Sequence, residues 1–286
     1  MAQNRQIGFL GSSGSYSHQA ASILRPDSTA VGYSSFEKLV AATEQGEVQE
    51  AVLPLENSTS GRIPDIHRLV VSMDLFIVEE LLLDIHHCLI SAQPTDTDDI
   101  ETLLSHQQGF IQSEKFLAEK LPNASHQQVS DTATAVKEAV ETGDRATAAI
   151  GSEFAAKYYG GLVLNRNISD RDDNITRFAL ISRDVQVDEK NNMTSMILQV
   201  DHTPGSLVRA LSVFGTYGVN ITKLETYMIS DKTVLPTFYL DLGSGSHDEN
   251  LVLALKDLQS CITYSKFLGS YEADKRRSGK NGFLKP

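Results

Sequence analysis

From Gln6 to Val71 short apolar runs alternate with stretches of helical length: Gln6 to Leu10 then Tyr16 to Leu24, Ala30 to Tyr33 then Phe36 to Gln45, Ala51 to Pro54 then Ile63 to Val71. A parallel neighbour strand is reached only through a crossover long enough to hold a helix, so this alternation predicts βαβ units around a largely parallel sheet. Leu75 to Ile90 then reads as one long extended segment leaving this lobe for a second. The second lobe continues with a strand at Ile100 to Leu103, helices at Gly109 to Lys120 and Thr132 to Val140, and a strand at Ala146 to Ile150. A helix from Ser152 to Tyr158 is stopped by Gly160-Gly161, and Ile175 to Ile181 is the expected crossing back. Two crossings between two α/β lobes predict a hinged, two-lobed fold of the periplasmic-binding-protein type, with its ligand between the lobes. The first lobe is placed at about 1–80 plus 161–183 and the second at about 81–160.

Arg183 to Met193 is polar and charged, the composition of a linker, and the pattern restarts after it. Thr194 to Val200 reads as a strand, and Pro204-Gly205 opens a helix that runs to Tyr217 and stops at Gly218. Ile221 to Ile229 and Val234 to Leu242 read as a hairpin pair, Asp248 to Gln259 as a helix and Thr263 to Leu268 as a final strand. The order βαββαβ over residues 194–271 is that of the ferredoxin-like plait. Residues 272–286, with Lys275-Arg276-Arg277 and Lys280, read as a frayed polar tail.

At 286 residues and 41% hydrophobic content the chain can bury a sizeable core, which predicts a folded, soluble protein. Its 37 acidic against 25 basic side chains give a formal charge of -12, which argues against nucleic acid or an anionic membrane as partner. Met1 to Arg5 leads straight into the first strand with no signal-peptide core, and no apolar run is long enough to span a bilayer. Cys88 and Cys261 lie far apart with no metal-ligand spacing, so two free thiols in a reducing cytoplasm, and no metal site, are expected.

Three segments concentrate groups capable of chemistry. Gly11-Ser12-Ser13-Gly14-Ser15-Tyr16-Ser17-His18 joins a strand to a helix, where amides at the helix N-terminus can meet a carboxylate or phosphate. It matches neither a dinucleotide fingerprint nor a P-loop, so no nucleotide chemistry is expected. Leu53 to Gly61 passes from an apolar run into Glu56-Asn57-Ser58-Thr59-Ser60, at the strand end where open α/β sheets bind ligands; the plain alternative is that Ser58 or Thr59 caps the next helix. Asn174-Ile175-Thr176-Arg177-Phe178 sets a hydroxyl beside a guanidinium inside an apolar run, a pair expected to face a shared cleft as uncharged donor and anion clamp.

Together with Ser105-His106 and Asp131-Thr132-Ala133, these segments and the terminal plait resemble prephenate dehydratase followed by an ACT regulatory domain. The resemblance covers about nine tenths of the chain and is carried most specifically by the Glu-Asn-Ser and Thr-Arg-Phe motifs in that order. It implies loss of carbon dioxide and water from prephenate to give phenylpyruvate, with no cofactor and no metal. It assigns Thr176 as the catalytic residue, Arg177 as substrate anchor and Phe178 as cleft wall, with Asn57, Ser58, Thr59, Thr132 and Asn174 lining the cleft. His106 matches a family position but reads as structural, and His18, His86 and His87 carry no stronger claim. In the plait, Gly205-Ser206-Leu207, Asn220, Leu224 and Glu225 are the implied effector site, with phenylalanine as effector on a homodimer or homotetramer. Thr226, Tyr227 and Met228 replace three of the four residues of the family's Glu-Ser-Arg-Pro signature, which bears on effector identity and strength. Asp131 stands where many bacterial members have serine, which keeps arogenate as an alternative substrate. A non-catalytic amino-acid-sensing module on the same hinged fold is the alternative from a different class.

Overall fold

A computed structural model describes residues 5–59, 61–185, 187–227 and 236–277. In chain order its strands are β1 (Gln6–Leu10), β2 (Thr29–Tyr33), β3 (Glu50–Asn57), β4 (Gly61–Arg62), β5 (Phe76–Asp84), β6 (Cys88–Ser91), β7 (Thr102–Ser105), β8 (Ser125–Gln128), β9 (Thr147–Gly151), β10 (Leu162–Asn165), β11 (Ile175–Ser182), β12 (Met193–Gln199), β13 (Ile221–Tyr227), β14 (Thr237–Leu242) and β15 (Tyr264–Tyr271). The helices are α1 (Tyr16–Leu24), α2 (Phe36–Gln45), α3 (Pro64–Ser72), α4 (Gln107–Ile111), α5 (Glu114–Lys120), α6 (Thr132–Thr142), α7 (Glu153–Tyr159), α8 (Ser206–Thr216) and α9 (Glu249–Leu258). The chain forms two compact units, one from residues up to 39 with 56–61 and 83–176, the other from 40–55, 62–82 and the described residues after 176.

In the first unit β1 and β2 pair in parallel, and a five-stranded sheet runs in the order β10-β6-β9-β7-β8. Side chains alternate across a strand, so a sheet covered on both faces needs apolar residues at every position. Cys88, Ile90, Leu104 and Ala149 meet Ala133, Val136, Ala139 and Ala155 on one face, while Leu89, Leu103, Ala148 and Ile150 meet Leu117, Leu121 and Ile168 on the other. The helices start on capping side chains, Ser15 for α1, Asp131 for α6 and Ser152 for α7, each accepting from first-turn amides. Gly143 and Gly160 end α6 and α7 in the left-handed conformation expected of the chain after a helix.

Two expected elements are each split in two, and both breaks fall beside one loop. The extended segment 75–90 is two strands, because at 85–87 the backbone leaves the ladder: Ile85 N donates to Asn174 O, His87 N to Ser169 Oγ, and His87 O accepts from Ile168 N. The single helix at 109–120 is α4 and α5, interrupted at Gln112, whose carbonyl accepts from Asp170 N at 2.7 Å. The exposed polar strand β8 carried no apolar signal in the sequence.

In the second unit β3, β11 and β5 are consecutive strands, and β13-β14-β12-β15 form a separate antiparallel sheet. With α8 and α9 this is the βαββαβ plait, its core built on Leu198, Phe214, Leu240, Leu251 and Leu258, all fully buried. Gly269 in β15 has φ 148, and a methyl group there would fall 2.0 Å from the Ile77 carbonyl oxygen, so only glycine fits. Met228 and the parts of the expected hairpin at 228–235 lie outside the described residues, as does the tail beyond Arg277. Both cysteines are free.

Candidate functional site

The strand ends that carry the sequence motifs meet in the first unit. Ser58 ties them together, its N donating to Ile175 O at 2.8 Å, its Oγ donating to Asp173 O at 2.8 Å and accepting from Ile175 N at 2.9 Å. Thr59 N donates to Asn57 Oδ1 at 2.9 Å, which turns the Asn57 amide nitrogen the other way. That nitrogen donates to Asn174 Oδ1 at 2.8 Å and to Thr176 Oγ1 at 2.9 Å. Asn174 and Thr176 are 3% and 8% exposed, a dry setting in which such bonds hold their direction. Because Thr176 Oγ1 accepts from Asn57, its own hydrogen is directed to another acceptor. Asn174 Nδ2 donates onward to Gln112 Oε1 at 3.1 Å, and a cavity of about 210 Å³ is lined by Thr59, Ile111, Gln112, Ser169, Asp170, Arg171 and Asn174. Arg171 is held there by a bidentate pair with Asp173.

Arg177 is placed elsewhere, and the expectation that it grips substrate beside Thr176 is corrected by strand geometry. Successive side chains of β11 point to opposite faces. The guanidinium is wholly buried in the second unit, with Nε donating to Glu80 at 2.8 Å, one terminal nitrogen to Asp241 at 2.8 Å and the other to Tyr271 Oη at 2.7 Å. Arg277 reaches the same two carboxylates, Glu80 at 3.1 Å and Asp241 at 2.6 Å, and Ser195 Oγ donates to Asp241 Oδ1 at 2.6 Å. Burial would raise the Asp241 carboxyl, but the charges of Arg177 and Arg277 and the Ser195 hydroxyl outweigh it and hold it far below the usual carboxylate range. Burial opposes the charge on Arg177 too, yet Asp241 and Glu80 hold the guanidinium protonated. Phe178, expected as a cleft wall, is 1% exposed and part of the core.

The Gly-rich turn is occupied by the chain itself. Ser12 Oγ donates to Asp131 Oδ2 at 2.9 Å, and Gly14 N donates to His18 Nδ1 at 2.9 Å. Asp131 also accepts from Ala133 N, Thr134 N and Thr134 Oγ1. Burial pushes its carboxyl up, but the bonds from Thr134, Ser12 and Ala133 prevail and keep it below its ordinary value. Thr132 opens α6 behind this cap and is not among the residues lining the cavity at Asn174. His106 caps α4, its Nδ1 accepting from Gln108 N.

In the plait, Gly205, Ser206 and Leu207 line a cavity of about 390 Å³ with Val200, Pro236 and Phe238. Ser206 is buried, with its Oγ 2.6 Å from Thr203 Oγ1. Asn220, Leu224 and Glu225 do not line it: Asn220 is exposed and gives its carbonyl to Gly243 N, while β13 is an edge strand that carries a 42% exposed Leu224 and Glu225 paired to Lys223 at 3.1 Å. Sequence reading assigns Gln112 no role and His87 no more than that of any other histidine, because they are brought toward Asn174 only by the loop that splits two predicted elements.

Residues 7–186 match the prephenate dehydratase family. The chain is 33% identical over 279 residues to the bifunctional chorismate mutase/prephenate dehydratase of Enterobacter agglomerans, covering 96% of this chain and 72% of that one. It is 33% identical to arogenate dehydratase/prephenate dehydratase 2 of Arabidopsis thaliana, a chloroplastic protein, over 94% of this chain and 73% of the other. The crystal structure of a prephenate dehydratase from Arthrobacter aurescens in complex with L-Phe superposes with a TM-score of 0.86 at 26% identity, covering 96% of this chain and 91% of that one. The fold is of the same class, α/β of the two-lobed periplasmic-binding-protein-like type with a βαββαβ plait.

Proposed function

The chain belongs to the prephenate dehydratase family, a family of lyases, and from that premise we propose that Thr176 is the hydrogen-bond donor to the departing ring hydroxyl of prephenate. In the reaction the bond to the ring carboxylate breaks and carbon dioxide leaves. Its electron pair enters the ring as the carbon–oxygen bond opposite breaks, and hydroxide, taking a proton, leaves as water. The product is phenylpyruvate. A donor aimed at the leaving oxygen strengthens as negative charge grows there, which is the kind of contact worth roughly a hundredfold or more in rate. The observation that carries the reading is the Asn57 Nδ2 to Thr176 Oγ1 bond, which commits Thr176 to offering its hydrogen away from Asn57. Thr176 is a donor and positioner here; a threonine hydroxyl is too weak an acid to supply the proton unaided.

Asn57, Thr59 and Asn174 are the substrate-side residues of the same site, with Ser58 fixing their backbone. We assign residues 1–183 to catalysis and 194–271 to an ACT-type regulatory domain, with phenylalanine as feedback effector; the segment 272–286, expected as a frayed polar tail, is instead docked at its start, where Arg277 is buried on Glu80 and Asp241. The plait topology and the cavity at Gly205, Ser206 and Leu207 support that assignment, as does the relative crystallised with L-Phe. Pairing of the plait through an exposed edge would give a homodimer or homotetramer. A cytoplasmic enzyme without metal or cofactor completes the reading; among the described residues no helix is long and apolar enough to cross a membrane.

The test is phenylpyruvate formation by the purified protein from prephenate, with and without millimolar phenylalanine, beside an arogenate assay. The reading expects turnover of prephenate that phenylalanine suppresses. Turnover of arogenate alone would move the substrate assignment to the aminated analogue, and turnover of neither would return the chain to an amino-acid-sensing role.

A further inference from the structure

The bonds around Thr176 continue into the first unit, and their directions are forced from one end. Thr59 N–H is a backbone group that can only donate, so the Asn57 atom facing it is the amide oxygen. Asn57 Nδ2 then faces Asn174 Oδ1, which turns Asn174 Nδ2 toward Gln112 Oε1. The same Gln112 oxygen lies 2.9 Å from His87 Nε2, and an oxygen that is only an acceptor requires a hydrogen on that nitrogen. His87 is 3% exposed, and burial lowers its affinity for a second proton more than the Gln112 bond restores it. A neutral ring with Nε2–H has its lone pair on Nδ1, and Nδ1 lies 3.2 Å from Tyr16 Oη. Tyr16, kept protonated by burial, shares its single hydrogen between that nitrogen and the His86 carbonyl at 2.8 Å.

We infer that Gln112 and His87 are positioning residues that lock the line from its far end: Thr59 N–H sets its polarity, and the Gln112 oxygen, held by His87, keeps Asn174 with its own oxygen toward Asn57, so that the Asn57 nitrogen stays on Thr176 and the Thr176 hydroxyl faces substrate as a donor. The line is not a proton path. Two asparagine side chains and a glutamine interrupt it, and an amide passes a proton only by becoming an imidic acid. What it transmits is polarity. With the opposite polarity Asn57 would present its oxygen to Thr176, the threonine would spend its hydrogen there, and the leaving hydroxide would meet only a lone pair. Gln112 acts through its oxygen alone, as acceptor toward both His87 and Asn174.

The inference rests on Thr176 as the donor of the reaction, and its first test does not depend on that. In the full chain labelled with ¹⁵N-histidine, a long-range ¹H–¹⁵N spectrum identifies the His87 ring by its loss in His87→Phe. The Nε2–H tautomer is expected, and the Nδ1–H tautomer would overturn the line whatever Thr176 does. The second test compares Gln112→Met with Gln112→Glu. Glutamate keeps the acceptor and methionine keeps the volume, so the line expects methionine to lose at least tenfold more kcat on prephenate than glutamate, with KM within about threefold. A role in packing alone reverses that order, since the buried charge would then be the worse change, and the reversed order would refute the inference. A Thr176→Ala enzyme that still turns over, beside an Nε2–H His87, would break the donor assignment and leave the line standing.

Discussion

Thr176 and Arg177 are joined by one peptide bond and belong to different surroundings. Thr176 is held by uncharged amides, each accepting at one end and donating at the other, so that a small hydroxyl is left with a defined direction. Arg177 is held by two buried carboxylates and a phenol, with a second guanidinium on the same carboxylates. A neutral network costs little to bury when every member is paired, and it can leave one donor for a ligand. A buried ionic cluster is satisfied by its own members and is ruinous to open, because desolvation leaves any orphaned charge with no compensation. Adjacent positions on one strand thus serve opposite ends, cohesion on one face and, as proposed for Thr176, chemistry on the other.

The sharpest way to break this comparison is Arg177→Met. It leaves Glu80 and Asp241 sharing Arg277 alone, and the expected loss is about 3–5 kcal/mol of stability in denaturant unfolding. A variant as stable as wild type with a raised KM for prephenate would restore Arg177 as a substrate clamp. Acid sharpens the same point. Asp241 has a folded pKa below its unfolded value, so the stability it contributes is complete above the unfolded range and is lost as pH falls through that range toward the folded pKa. Stability measured from pH 6 downward should therefore fall less steeply in Asp241→Asn than in wild type; parallel slopes would contradict the ionic pairing.

On the other face the expected effects are kinetic. Asn57→Asp replaces the donor to Thr176 with an acceptor and turns the threonine hydrogen inward. A loss of ~10–100-fold in kcat is expected, about 1.4–2.8 kcal/mol of barrier, with a smaller change in KM. Loss confined to KM would show that Asn57 binds substrate without directing Thr176. Smallest is Ser58→Ala, which removes a hydroxyl bonded to Asp173 O and Ile175 N and should cost about 1 kcal/mol of stability. A stability unchanged in unfolding titrations would mean that the backbone bond to Ile175 alone keeps the strands in register.

Much of this was legible in the sequence. The alternation of strands and helices, the stop at Gly160 and the plait after the polar linker follow from local patterning that the tertiary structure leaves intact. Asn57, Asn174 and Thr176 are grouped by the family resemblance, and the fold brings the three into one hydrogen-bonded set. The role of Arg177 was misread, although the period of two along Ile175 to Ser182 already separates neighbours to opposite faces. Gln112 and His87 were illegible for another reason. Their place depends on the loop 168–174, which takes backbone bonds from two apparently continuous elements, and no local propensity records such a competition. The partners of Arg177 are likewise scattered from Glu80 to Tyr271, meeting only once the chain has folded.

The division of labour on this strand is tested most directly by the kcat of Thr176→Ala on prephenate, measured on protein whose melting temperature matches wild type. The account predicts that turnover falls below about a tenth of wild type, a barrier increase above roughly 1.4 kcal/mol, while the ionic face keeps the fold intact. More than about a tenth of wild-type activity would contradict it and remove Thr176 from the chemistry.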